Sequence, residues 1–227
     1  MADTGAVSII IPVLNEAEVL EESLQKLFEI PSVAESCEVI VCDGGSEDGT
    51  LEIASKFPCT CLQSSPGRAQ QMNHGAASSN APVLLFLHAD SYLPTHFIHS
   101  LSHDWGFFPV RLSGTTFVFR IIETFINLRT RLTRVAGGDQ GLFFRRPFFE
   151  DIGGFPEIPL MEDIAISKRA RQLKPPGISD QKILTSSRRW QKHGVIRTVL
   201  LMWSLRFAYW RGSDPEQLHK RYYQQSQ

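Results

Sequence analysis

The sequence predicts an α/β fold, a doubly wound and mostly parallel sheet with helices on both faces, extended by helices at its C-terminal end. Three observations lead there. Four short apolar runs recur in the first hundred residues, at 7–13 (VSIIIPV), 38–43 (EVIVCD), 59–64 (CTCLQS) and 83–90 (VLLFLHAD). The segments between them carry apolar residues at helical spacing. The runs are also apolar at nearly every position instead of alternating, as strands buried on both faces must be. Strand–helix alternation of this kind implies parallel pairing through right-handed crossovers.

The elements follow in order. The run 7–13 is β-branched, too short for a helix and bounded by Pro12 and Asn15. From Glu16 to Ile30, the residues Val19, Leu20, Leu24, Leu27 and Phe28 recur at helical spacing. Gly44, Gly45 and Gly49 break the second strand before a helix over 50–57, and the third strand leads to a helix over 68–78. After the fourth strand, Pro94 opens a helix reaching about His103. The second half is less regular. A strand is predicted from Gly114 to Phe119, then an amphipathic helix from Arg120 to Arg134. Ile121, Phe125, Leu128 and Leu132 stack on one face of that helix, and Arg120, Asn127, Arg131 and Arg134 line the other. Strands at 140–146 and 182–187 flank a helix over 162–173. Terminal helices at 193–211 and 215–224 are separated by Gly212-Ser213-Asp214-Pro215, a stop followed by a cap.

The 227 residues suffice for a sizeable core, and 42% hydrophobic with 21% charged residues excludes a disordered or fibrous chain. The net charge of −1 conceals an uneven distribution: residues 1–100 hold 3 Lys/Arg against 13 Asp/Glu, and the remainder hold 20 against 11. Such halves either pack on each other or leave a basic surface for an acidic or membrane partner. Cys37, Cys42, Cys59 and Cys61 lack paired zinc spacing and read as reduced thiols of a cytoplasmic protein. No basic leader precedes the first strand. The longest apolar stretch, 195–210, is too short to span a bilayer and contains Arg197 and Arg206 on nearly opposite helical faces.

In an open parallel sheet, ligands bind beyond the carboxyl ends of the strands. Three strands end there in polar clusters, Pro12 to Glu16, Asp43 to Ser46, and His88-Ala89-Asp90. The glycines after Asp43 let backbone approach a ring or ribose, and Asp43 is an acceptor for a base N–H or a hydroxyl. Asp90 suits a hard divalent cation, without which a diphosphate would be repelled by these acids.

These blocks resemble family 2 glycosyltransferases of the GT-A fold, and more closely the radical-SAM/selenodomain-associated transferase 2 group. The resemblance rests on 9–16 (IIIPVLNE), 41–50 (VCDGGSEDGT), 67–76 (GRAQQMNHGA), 85–94 (LFLHADSYLP), 137–146 (GGDQGLFFRR), 153–155 (GGF), 161–167 (MEDIAIS), 187–190 (SRRW) and 209–223. It implies an inverting, metal-dependent transfer of a sugar from a nucleotide-diphospho-sugar donor to a hydroxyl acceptor, with Mg²⁺ or Mn²⁺. Pro12, Asn15, Glu16, Asp43 and Gly45 would then surround the nucleoside. Gly67, Arg68 and Asn73 would approach the base or diphosphate. Asp90 matches the last acid of the family's Asp-x-Asp motif, with Ala89 in the middle and His88 replacing the first acid. Asp163 matches the catalytic base, with Glu162 as its alternative or support. Acids in the first turn of a helix are also favoured by its dipole alone. Gly138, Asp139 and Gln140 would line a sugar, and Arg189-Trp190 resembles the end of a Gln-x-x-Arg-Trp motif, with Ser186 where Gln is expected. The implied layout is a transferase domain over 1–190, divided into a donor half (1–103) and an acceptor half (104–190), with a helical extension over 191–227.

Rival readings are weaker. A nucleotidyltransferase or an NAD-binding enzyme would show a glycine-rich loop after the first strand, and Pro12-Val13-Leu14-Asn15-Glu16 has none. A non-catalytic nucleotide-sugar sensor or membrane scaffold draws support from His88 and is opposed by the Glu162-Asp163 pair. Residues 182–211 hold seven Lys/Arg and no acid, interleaved with aromatics. That pattern fits a peripheral membrane contact at the inner face of a membrane, a homodimer face, or a helix buried over an acceptor pocket. It does not fit nucleic acid, for which no motif is present.

Overall fold

The computed structural model describes residues 6–224. Its elements in chain order are β1 (Val7–Val13), α1 (Ala17–Phe28), α2 (Pro31–Ser36), β2 (Cys37–Asp43), α3 (Thr50–Ala54), β3 (Thr60–Gln63), α4 (Arg68–Ala77), β4 (Val83–Phe86), β5 (Ser91–Tyr92), β6 (Trp105–Phe107) and β7 (Val110–Leu112). They continue with α5 (Phe117–Thr133), β8 (Leu142–Arg145), α6 (Arg146–Asp151), α7 (Glu162–Leu173), β9 (Gly177–Ile178), β10 (Ile183–Thr185), α8 (Arg188–His193), α9 (Val195–Trp210) and α10 (Pro215–Gln224).

The main sheet runs β3-β2-β1-β4-β8-β6-β9. Its first four strands are parallel, while β8 is antiparallel to both β4 and β6. A small sheet, β5-β10-β7, stands beside it. Side chains leave the strands alternately to two cores, as a two-residue period requires. Ile9, Ile11, Val13, Val39, Val41 and Leu85 face the layer that contains Leu20, Leu24 and Leu27 of α1. Ile10, Ile40, Cys42, Leu84, Phe86 and Phe144 face α4, α6 and α7 through residues such as Met72, Phe149 and Ile166. On this second face α4 comes so close that a Cβ at Gly75 would stand 2.6 Å from Ile10 Cγ2 and 2.8 Å from Cys42 Sγ, so glycine is required there. The fold is thus the mixed, mostly parallel α/β sandwich expected.

Several local expectations need correction. The strand placed at 114–119 lies earlier, at β7, because Phe119 folds back onto Gly114 as α5 begins. The helix to His103 is a single 3₁₀ turn, Phe97–Ser100. The apolar stripe Ile121, Phe125, Leu128 and Leu132 does not enter the core; Phe119 and Ile122 do. The terminal helices are partly covered: Leu201, Leu205, Leu218 and Tyr222 pack on Val135, Leu160, Met161 and Ile164, and Val195 and Val199 meet Phe119 and Ile122. The opposing charges of the two halves meet at Arg188, which pairs with Glu18 at 3.2 Å and Glu16 at 3.5 Å. All four cysteines are free thiols. Among the described residues no helix is long and apolar enough to cross a membrane.

Candidate active site

The carboxyl ends of β1, β2 and β4 lie on one edge because the three strands are parallel and in register, Val13 opposite Asp43. Since β8 runs the other way, with Leu142 opposite Phe86, its amino end and the preceding turn at 138–140 reach that same edge. The antiparallel strand therefore carries Gly138 and Asp139 to the end of β4, beside His88 and Asp90. Across this edge α7 begins, with Met161 at φ 73° immediately ahead of Glu162 and Asp163. A left-handed Met is a strained start, and strain of this kind concentrates at functional positions.

The acids of α7 are held differently. Asp163 Oδ2 accepts the Gly138 N–H at 2.7 Å, and Oδ1 accepts the Ile164 N–H at 2.7 Å. Those two bonds fix the carboxylate's position and leave lone pairs open for a hydroxyl. Glu162 has a side chain only 3% exposed, with Arg68 Nε 3.5 Å away. Burial raises its pKa to about 7, with Arg68 opposing and Asp163 adding to the rise. Folding thus binds a proton between the ordinary value of 4.5 and about 7, so this group's contribution to stability declines as pH rises through that window. Chemical denaturation across the window should show wild type losing about 1–3 kcal/mol relative to Glu162→Gln, at about 1.4 kcal/mol per pKa unit. Parallel pH profiles for the two proteins would refute the assignment.

His88 is neutral: burial lowers its pKa to about 3, and Arg68 contributes. It lies against the turn so closely that any Cβ at residue 138 would collide with its ring, which explains Gly138. A cavity of about 10 Å³ separates His88, Gly138, Glu162 and Asp163 from Met72 and Phe155, enough for one water. Asp139 has its pKa raised to about 6 by burial, with Arg129 opposing and Asp163 and Asp90 adding. Asp90 also raises Glu16, after burial, so the fields of Glu16, Asp90, Asp139 and Asp163 overlap at this edge.

Other expected residues serve the frame. Asp43 is fully buried, accepting the Gly45 and Ser46 N–H groups at 2.9 Å and the Ser46 hydroxyl, so it shapes its own turn. Asn15, left-handed at φ 54°, joins that turn to β1 through Ser46 and Glu47. Pro12 and Ala89 are buried in the walls, and Gly67 (φ 140°) opens α4 ahead of Arg68. Three residues make structural contacts. Asn73 clamps the Phe155 backbone at both N–H and C=O, which commits it to the loop before α7. Gln140 is fully buried, bonded to Gly137, Thr130 and Phe108 behind the turn. Trp190 packs in the cluster of Leu112, Phe119 and Ile122. The Arg189 side chain lies outside the described residues.

Sequence reasoning missed Gln71, whose Nε2 reaches the Val13 and Cys42 carbonyls at 2.6 and 2.7 Å and locks the ends of β1 and β2 together. A glutamine on the sheet-facing side of α4 was its signal. It also missed Arg129, Tyr209 and Arg206, which arrive from α5 and α9. Arg206 Nη2 would stand 3.2 Å from a Cβ at Gly137, and its Nη1 is buried without a hydrogen-bond partner among the described residues.

A divalent ion can be tested against this donor set. No group of three His, Cys, Asp or Glu among the described residues forms a cage. Asp90 at the strand end fits the other arrangement, in which Mg²⁺ takes one or two carboxylates and completes its shell with substrate phosphates and water.

In an open α/β sheet, ligands bind beyond the carboxyl ends of the strands, the edge where these acids and a guanidinium gather. Residues 8–157 match the model of glycosyl transferase family 2, and the chain belongs to that family. It is 28% identical over 169 residues to glycosyltransferase AglE of Haloferax volcanii, covering 66% of this chain and 56% of the relative. An uncharacterized glycosyltransferase of Bacillus subtilis, YfnE, is 35% identical over 89 residues, 37% of this chain and 22% of the relative. The chain thus spans at most about half the length of these curated relatives. Among solved structures, S. aureus TarS 1-349 in complex with UDP-GlcNAc superposes with TM-score 0.66 at 19% identity, over 79% of this chain and 58% of that one. The mannosyltransferase PcManGT of Pyrobaculum calidifontis, in complex with GDP-Man and Mn²⁺, gives 0.63 at 19% identity, over 82% and 58%. These likenesses establish the GT-A fold.

Proposed function

We propose that the chain is an inverting glycosyltransferase that moves a sugar from a nucleotide-diphospho-sugar to a hydroxyl acceptor. The observation that carries this reading is the convergence of Asp90, Arg68 and the Gly138–Asp163 contact on one sheet edge. The nucleoside would lie over the ends of β1 and β2, along Asn15, Glu16 and the turn that Asp43 shapes. Asp90 would hold the divalent ion, which supplies charge neutralisation of the departing diphosphate. Arg68 faces Glu162, Asp163 and Asp90, and lies where a diphosphate would pass. Asp163 takes the acceptor proton as that oxygen attacks the anomeric carbon, with Gly138 N–H holding its orientation. Glu162, buried beneath Arg68, positions that guanidinium. Asp139, Arg129 and Arg206 border the acceptor side. We divide the chain accordingly into a donor half (1–103), an acceptor half (104–190) and a supporting extension (191–227), nearest the radical-SAM/selenodomain-associated transferase 2 group.

The test is calorimetry and thermal shift with UDP-, GDP-, ADP- and CDP-sugars, with and without Mn²⁺ or Mg²⁺. One donor should bind saturably and weaken with chelator. Asp90→Ala should raise its Kd about a hundredfold, the loss of a contact worth several kcal/mol. A folded protein that binds none of the four would sink the reading. The non-catalytic alternative draws on neutral His88, and donor binding without turnover in wild type and Asp163→Asn alike would favour it.

A further inference from the structure

We propose that α5 and α9 together form a docking surface for a phospholipid bilayer with anionic headgroups. Phe117, Ile121, Phe125, Leu128 and Leu132 recur at spacings of four, four, three and four along α5 and are all exposed, Phe125 at 60% and Leu132 at 75%. On α9, Ile196, Leu200, Trp203, Phe207 and Trp210 recur at four, three, four and three, and they too are exposed, Trp203 at 64% and Trp210 at 71%. Each helix buries a different face. Phe119 and Ile122 of α5 meet Val195 and Val199 of α9, and Leu201 and Leu205 of α9 meet the core of α7. The stripes are therefore a second apolar face on helices whose core contacts are already complete. The two helices join at their amino-terminal turns, and each stripe is about 21–23 Å long at the rise of an α-helix.

Charge selects the occupant. The only acid in α5 is Glu123, which is buried against Arg120, and α8 and α9 contain none. The exposed charges of α5, α8, α9 and the residues that cap their C-terminal ends are basic, among them Arg131, Arg134, Lys192, Arg197 and Arg211; exposed Asp214 and Glu216 come only after α9 has ended. A second copy docked about a two-fold axis would bring these cations against their own equivalents. An anionic bilayer accepts both features, apolar side chains below the headgroups and arginines among them, with Trp203 and Trp210 at the depth tryptophan prefers. Neither helix needs to cross the bilayer. The proposal does not depend on the sugar-transfer reading.

Flotation of the full chain with vesicles tests it, comparing phosphatidylcholine alone with phosphatidylcholine containing about one-third phosphatidylglycerol. The protein should float with the anionic vesicles, less so in high salt. Phe125→Glu with Trp203→Glu should weaken partitioning about tenfold or more. The triple change Arg131→Glu, Arg134→Glu, Arg211→Glu should remove the preference for anionic lipid. Should a variant fail to fold, wild type alone decides: tryptophan emission should shift to the blue on anionic vesicles and be quenched by brominated acyl chains. Protein that stays in the aqueous fraction with unquenched emission would overturn the proposal. So would a dimer in sedimentation equilibrium that Phe125→Glu converts to monomer.

Discussion

Replacing Asp163 by Asn should lower kcat by about 10²–10⁴-fold, the range for loss of a positioned general base, while donor affinity changes little. Asparagine keeps a side-chain oxygen for the Gly138 N–H, which Asp163 accepts at 2.7 Å, and gives up only the bond from the adjacent Ile164 N–H, so the fold and the turn should persist. The split between kcat and donor binding is what distinguishes a proton acceptor from a structural tether. A tether would lose donor binding and thermal stability together. Steady-state kinetics alongside calorimetry measures both, and near-normal kcat in a folded Asp163→Asn protein would remove Asp163 from the chemistry. Glu162→Asp offers a contrast: with its carboxylate buried under Arg68, shortening it should disturb Arg68 and so raise the donor KM more than it lowers kcat.

The largest effect on stability is expected at Phe144. It is fully buried in β8, stacked on Trp105 at 6.1 Å and surrounded by Phe86, Phe149 and Phe155 at 5.5–6.3 Å. It joins the antiparallel half of the sheet to the parallel half, with Leu84 on one side and Trp105 on the other. Phe144→Ala should cost about 3–5 kcal/mol, from lost transfer energy plus a cavity that the surrounding rings cannot close. Urea denaturation should show a lower midpoint with an unchanged slope. A loss under about 1 kcal/mol would mean that the ring cluster collapses freely and is not the joint described.

Strands β1, β2 and β4 were legible because burial on both faces leaves few polar residues within them, whereas β3 is an exposed edge strand that was legible from its place in the strand–helix alternation; glycine or proline marks the ends of all four. Of the later strands, β8 and β10 were legible as the runs at 140–146 and 182–187, but β5, β6, β7 and β9 were not. β5 and β9 are two residues long and β6 and β7 three, too short for any periodicity, and their pairing is set by distant partners. α6 did carry a sign that went unread, proline at the start of RPFFED. The helical stripe in α5 was visible, but hydropathy spacing cannot say whether an apolar face points inward. Here Phe119 and Ile122, two positions before Ile121 and one after it, entered the core instead. In the site, acids at strand ends and at the start of α7 could be located by pattern. Arg206 lies outside every such block, and Tyr209, although it opens the block at 209–223, reaches the acids only through tertiary docking. Asn73, Gln140 and Trp190 show the reverse, residues within recognisable blocks whose side chains hold the frame.

The strained Met161 that launches the acidic pair rests on Val135, Leu201, Leu205, Leu218 and Tyr222, so its support comes from the last two helices. Strands β1 to β4 can pair as soon as the first hundred residues have left the ribosome, whereas Met161 gains its buttress only after Leu218 has been made. The loops beyond β1, β2 and β4 would therefore exist during synthesis before the acidic pair is in place. Completion of the edge they share becomes a late step of folding, timed by helices that contribute no residue to the sheet.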